Sequence, residues 1–408
     1  MKPDFLRQRW RMLALGVLAC AVVLCGVWYV YVRRPGDPAV WALLDEARGG
    51  RDFDNWRDDF RCFRAGKPVK GLSVMARLAR MGPAAVDTLL VALEDRDFFV
   101  RANAANALGM IRDPRAVAPL ADALKNRHEP SERRLSPSVA AISLGMTGDK
   151  RALPHLMDAL RDKNYDGRDS VVFALGLMGP KAEQATPVLA AILKDTRTRS
   201  SVRLSAITAL ARIAPPQVAT PAIRRVMEAS VDDLECFRSG RALAKLADTE
   251  NLLGLLQHEE ELVRVSAAVG LACERSSRHQ HFSAVVVPVL VKALRAQDCR
   301  YFDWVIEAIG ALGPEAKDAV PALIDLLGNT ANVSREKAAR ALGQIGPGAK
   351  AAIPALVELA KEQYVHGLTP DDDFIDPNAP MLVELMKRQH DRTRATAAEA
   401  LERIRGQE

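Results

Sequence analysis

A pattern that recurs about every 33 residues constrains this chain more than any other feature of its sequence. One copy, FVRANAANALGMIRDPRAVAPLADALKN, begins at Phe99, and DSVVFALGLMGPKAEQATPVLAAILKD begins at Asp169. FDWVIEAIGALGPEAKDAVPALIDLLG begins at Phe302, and VSREKAARALGQIGPGAKAAIPALVELAK at Val333. Each copy has an apolar stretch at helical spacing, a Gly/Pro break, and a second apolar stretch that holds a proline. One register joins them through Leu78, Leu108, Leu144, Leu175, Leu210, Leu243, Leu271, Ile309, Leu342 and Leu401. A unit this small cannot bury its own apolar face, so successive units must stack. The expected fold is therefore all-α, a right-handed α-solenoid of stacked helix pairs, and fragments of one or two repeats are not expected to fold.

Other positions keep the same register. Ala104 and Ala105, like Ala267 and Ala268, are small enough for neighbouring first helices to approach closely. Gly109, Gly145, Gly176, Gly310 and Gly343 follow the register residue and remove a side chain where helices crowd. Pro119, Pro154, Pro187, Pro221, Pro288, Pro321 and Pro354 are expected in the first turn of each second helix, where proline loses no hydrogen bond. An arginine stands seven residues before the register residue at Arg101, Arg168, Arg203, Arg264, Arg335 and Arg394. Asp95 and Asp162 each precede such an arginine by six residues, which predicts a structural ladder of ion pairs between repeats. The alternative is a stripe that binds anions. Pro137, Cys236 and Phe302 replace the arginine in three units.

The pattern resembles the HEAT repeat, and more narrowly the HEAT-like repeats of phycobilisome lyases. Those read roughly V-R-x-x-A-A-x-A-L-G-x-I followed by A-V-P-x-L. Val100-Arg101 to Ile111 with Val117-Ala118-Pro119-Leu120 matches it, as does Ser334-Arg335 to Ile345 with Ile353-Pro354-Ala355-Leu356. The resemblance spans about residues 69–360 and a last helix near 391–405. It implies a long concave surface, lined mainly by second helices, that holds an extended peptide or a protein face. It also raises a second reading, a bilin or chromophore lyase-like enzyme.

Ahead of the repeats lies an uncharged run, Met12–Val32, with Trp10 at one end and Trp28, Tyr29 and Tyr31 at the other. About 20 apolar residues suffice to cross a bilayer, and aromatic residues favour its interfaces. The run therefore reads as a transmembrane helix or signal anchor. A cleaved signal peptide would be shorter and would end in an A-x-A site. A lipoprotein reading on Cys20 leaves a strongly apolar stretch behind it. The expectation is a single-pass membrane protein whose solenoid is extracytoplasmic, since the basic residues slightly favour an inside N-terminus. The segments are then 1–11, a basic flank; 12–32, the span; 33–68, linker and capping helices; 69–362, the solenoid; 363–390, a loop-rich insertion; and 391–408, a capping helix. Asp37 is expected to cap a helix that begins at Pro38, and Phe53, Trp56, Phe60 and Phe63 share a helical face.

Chemistry is sparse. No phosphate-binding loop, nucleophile elbow or metalloprotease motif stands in a suitable context. Cys62, Cys236, Cys273 and Cys299 are widely spaced and read as free thiols. His279 and His281 fall in an expected turn, without an evident third metal ligand. Asp371, Asp373, Asp376 and Asn378 offer oxygens without the EF-hand spacing and read as an exposed acidic loop, ahead of a short helix MLVELMKR. Basic clusters at Arg127–Arg134 and Arg197–Arg203 lack interleaved aromatics, and a net charge of +6 over 408 residues is mild, so nucleic acid is disfavoured. The expectation is a non-catalytic, membrane-anchored scaffold or adaptor, with no cofactor, that binds an unidentified protein or peptide.

Overall fold

The computed structural model describes residues 35–48, 73–125, 135–162, 165, 167–230, 232–273, 279–296, 301–328, 334–362 and 379–406. Among these residues all regular structure is helical. The chain divides into two compact units, residues 1–189 and 190–408, and the division falls within one helix.

In the first unit α1 (Pro38–Glu46) precedes three helix pairs: α2 (Val74–Arg80) with α3 (Val86–Ala92), α4 (Phe98–Ile111) with α5 (Val117–Lys125), and α6 (Pro137–Thr147) with α7 (Ala152–Arg161). Then come α8 (Arg168–Met178) and the start of α9 (Thr186–Lys194). Asp37 caps α1 as expected, accepting from the Ala39 N–H at 2.8 Å, with Pro38 at the first helical position. The first helices α2, α4, α6 and α8 pack in sequence, each on the next, and each second helix packs chiefly on the first helix of the following repeat, α3 on α4, α5 on α6 and α7 on α8.

The second unit holds α10 (Ser200–Ile213) with α11 (Pro216–Ala229), α12 (Asp233–Lys245) with α13 (Thr249–Leu255), and α14 (Glu261–Ala272) with α15 (His279–Arg295). It continues with α16 (Phe302–Leu312) and α17 (Val320–Leu327), α18 (Arg335–Ile345) and α19 (Ile353–Lys361), and ends on α20 (Ala379–Arg405). The segment MLVELMKR is not a separate short helix but the first part of this 27-residue α20.

Every register residue from Leu78 to Leu401 lies on an even-numbered, first helix and is buried. The glycines that follow them stand where backbones nearly touch. A Cβ on Gly145 would come within 2.6 Å of the Ala174 carbonyl oxygen, and one on Gly109 within 2.6 Å of the Ser143 carbonyl oxygen. The alanine pairs 104/105 and 267/268 are fully buried between helices.

The turns inside a repeat come in two chemistries. In the first, a Gly-Pro pair opens a 3₁₀ turn, as at Gly346-Pro347, where Gly346 sits at φ +69 and ψ −137, a conformation that side chains disfavour. In the second, an aspartate closes on an arginine two residues on. Asp149 accepts the Arg151 main-chain N–H at 2.9 Å and the guanidinium at 2.6 Å, and Asp113 does the same with Arg115. The Arg151 guanidinium, helped by its main-chain N–H, lowers the Asp149 carboxyl from 3.8 to about 2. A carboxyl depressed in the folded state stabilises the fold above its ordinary value and loses that contribution as pH falls through about 2. A carboxyl ¹³C titration should therefore place Asp149 well below the ordinary aspartate value. A midpoint near the ordinary value would show that the turn does not hold in solution.

Two expectations need correction. Pro221 and Pro288 lie inside α11 and α15 and not in a first turn, because those helices begin earlier, at Pro216 and His279. Each proline there removes an interior hydrogen bond. The expected membrane span, Met12–Val32, lies outside the described residues, and no helix among the described residues is long and apolar enough to cross a membrane. That finding argues against the assignment as a single-pass membrane protein. The face of Phe53, Trp56, Phe60 and Phe63 also lies outside the described residues.

Candidate interaction face

The recurring arginines form the expected ion pairs between repeats only in part, at Arg203 and Arg335, and mostly grip main-chain carbonyls. Arg101, only 1% exposed, donates from Nη1 to the main-chain carbonyls of Asp95 at 2.7 Å and Arg96 at 2.9 Å. The Asp95 carboxylate instead takes Arg48 at 3.0 Å. Arg264 grips the carbonyls of His258 at 2.6 Å and Glu259 at 2.5 Å in the same way. Arg335 donates to Leu327 O at 2.9 Å, Arg394 to Ala360 O at 3.1 Å, and Arg203 to Thr196 O at 3.0 Å. All these acceptors lie at the end of the preceding second helix or in the turn after it. Helix C-termini leave carbonyls without intrahelical donors, and a guanidinium there satisfies them and favours the helix dipole. Arg168 opens α8, and its Nε is buried without an acceptor among the described residues.

Two of the arginines add a carboxylate. Arg203 places Nε at 2.9 Å and Nη2 at 2.7 Å from Glu235 Oε1, one repeat further on. Glu235 is 1% exposed and also accepts from the Ser200 hydroxyl at 3.1 Å and the Ser230 hydroxyl at 3.0 Å. Arg335 pairs with Glu362 at 2.6 Å. These arginines are committed to the stack and are not open to an anion. Arg264→Ala should lower the thermal midpoint measurably, whereas Arg264→Lys should recover only part of it, because its ammonium lies one bond short of the Nη1 position that serves both carbonyls. Equal stability of the wild type and Arg264→Ala would contradict the clamp.

The thiols described are free, and burial disfavours their thiolate forms. Burial pushes the Cys236 thiol up to about 12, and burial also raises Cys273. Cys62 and Cys299 lie outside the described residues. His279 and His281 fall in the first turn of α15 and not in a loop. Among the described residues no group of three or more His, Cys, Asp and Glu could hold a metal ion. Asp371, Asp373, Asp376, Asn378 and the basic cluster Arg127–Arg134 lie outside the described residues.

The outer side of the second helices is open to a partner. Their inward position is nearly constant: Leu89, Leu120 and Leu156 in the first unit and Ile223, Leu252, Leu290, Leu323 and Leu356 in the second are fully buried. Two residues on, the chain is exposed and the residue varies among the repeats. The first unit shows Val91, Asp122 and Asp158, and the second Arg225, Gly254, Lys292, Asp325 and Glu358. Of these leucines the sequence motif carried Leu120 and Leu356, without marking them as inward, and it did not show this contrast, whose signal was the register itself.

HEAT repeats match residues 69–136, 153–235 and 287–369, more than half of the chain, so the chain belongs to the HEAT-repeat family. A PBS lyase HEAT-like repeat matches residues 138–162. No curated protein is similar enough in sequence to count as a relative. Among solved structures, an engineered protein shares 22% identity over 90% of this chain and 98% of its own, with a TM-score of 0.34. The complex of CpcE and CpcF of phycocyanin lyase from Nostoc shares 19% identity over 58% of this chain and 92% of its own, at 0.36. Importin beta shares 16% identity over 90% of this chain and 57% of its own, at 0.42. At such TM-scores none of them bears on what this chain does.

Proposed function

We propose that this HEAT-repeat protein is a non-catalytic scaffold or adaptor that binds a protein partner along the exposed side of its second helices. The observation that carries the reading is the contrast between a constant buried leucine and a variable exposed neighbour. Stacking needs the first to repeat, and recognition of a particular partner needs the second to differ. Many modest contacts spread over successive helices suit an extended partner better than a small molecule. The arginines and thiols offer no competing chemistry, being engaged with carbonyls or buried. The alternative, a chromophore lyase-like enzyme, draws on the HEAT-like repeat at 138–162.

The test is affinity capture with the full chain and with the double variant Arg225→Glu/Lys292→Glu. Both side chains are exposed, so stability should stay within about 0.5 kcal/mol. A protein captured reproducibly by the wild type should bind the variant on the order of tenfold more weakly. Undiminished capture would place the contact elsewhere. A coloured tetrapyrrole copurifying with the chain, without any protein, would favour the lyase.

A further inference from the structure

Three residues that break the repeat pattern meet at one point of the second unit. Trp304, on α16, stands five residues before its register residue, where other first helices carry Asn103, Val139, Ser170, Ser205 and Ser266. Phe237, on α12, is fully buried, and its ring stacks on Trp304 with centroids 5.9 Å apart and planes 5° from parallel. Tyr301 packs on the same phenylalanine at 5.3 Å. The third residue is Arg241, also on α12, whose guanidinium lies 5.5 Å from the centre of the Trp304 ring.

The two partners that α16 and α12 bring together differ in access. Phe237 anchors the indole from below, Trp304 is half-buried, and Arg241 is exposed. No carboxylate among the described residues lies within ion-pair distance of Arg241, and the nearby Glu307 stands 3.8 Å from the Lys337 ammonium. A guanidinium laid on an indole is held in one plane while its edge keeps N–H donors in a fork that fits a carboxylate. The rest of the exposed strip of α12 runs Leu234, Arg238, Arg241 and Lys245, apolar at one end and basic along its length. Trp and Arg are both enriched at interface hot spots.

We infer that Arg241 and Trp304 form a docking point for an acidic peptide segment of a partner protein. Its carboxylate meets the Arg241 fork, and an adjacent apolar side chain lies against Trp304 and Leu234. This site is on first helices and is independent of the second-helix face.

The experiment selects random dodecapeptides displayed in a library against the full chain, then measures the selected peptides on three variants. Recovered sequences should be rich in Asp and Glu. Arg241→Glu should weaken them on the order of tenfold or more with an unchanged thermal midpoint, and Arg241→Lys should fall between. Arg225→Glu/Lys292→Glu should bind them like the wild type, so that failure of the second-helix reading and failure of this one are distinguishable. The inference is overturned if the recovered peptides show no acidic bias. It is equally overturned if they bind Arg241→Glu undiminished, or if a single-stranded oligonucleotide displaces them by binding Arg241 more tightly.

Discussion

Glu235→Ala is expected to destabilise the second unit by about 3–5 kcal/mol, the cost of leaving one member of a buried ion pair behind. The carboxylate is 1% exposed and takes two donors from Arg203 and one each from Ser200 and Ser230. Its removal strands all of them at the junction of α10, α11 and α12. Burial of the pair is not itself strong evidence of stability, since an apolar replacement of both partners can be neutral. The double variant Arg203→Met/Glu235→Leu should therefore recover most of the loss. Denaturant midpoints for the single and double variants decide the matter. A single variant within about 0.5 kcal/mol of wild type would show that the network contributes little.

Gly240→Ala is expected to cost about 3 kcal/mol, at the upper end of overpacking, although alanine is the better helix former by about 1 kcal/mol. Magnitude decides the sign. The new Cβ would stand 2.2 Å from the Ser266 carbonyl oxygen, a main-chain atom that cannot rotate away, so α12 and α14 must separate. Gly270, facing Gly240 at 2.5 Å by the same measure, belongs to the same contact. By contrast Gly254→Ala, with nothing within 4 Å, should be neutral or stabilising. Thermal melts of the two variants should move in opposite directions. A stable Gly240→Ala would mean that the first helices are not in backbone contact.

Much of this architecture was legible because stacking writes itself into the sequence at a fixed interval. Leu108, Leu144 and Leu175 fall on first helices because each must fill the same space in its own repeat. Gly145 was readable as a crowding residue for the same reason. The prolines misled at Pro221 and Pro288 because a helix start depends on which upstream residues join it, and the repeat register does not record that. The arginine clamp was hidden for a different reason. Sequence displays side chains, so Arg101 was matched to the Asp95 carboxylate when its acceptors are carbonyls that every residue carries. The pairing of Arg203 with Glu235 could have been found, since the two stand 32 residues apart, close to one repeat. Arg241 and Trp304 could not, because they meet across first helices that no regular spacing joins.

The most direct test of the scaffold reading is amide hydrogen exchange of the full chain with and without its captured protein partner. Protection on binding should appear in second helices, above all α11, α15, α17 and α19, where Arg225, Lys292, Asp325 and Glu358 are exposed. A stable partner that leaves every second helix exchanging as in the free protein would contradict the account.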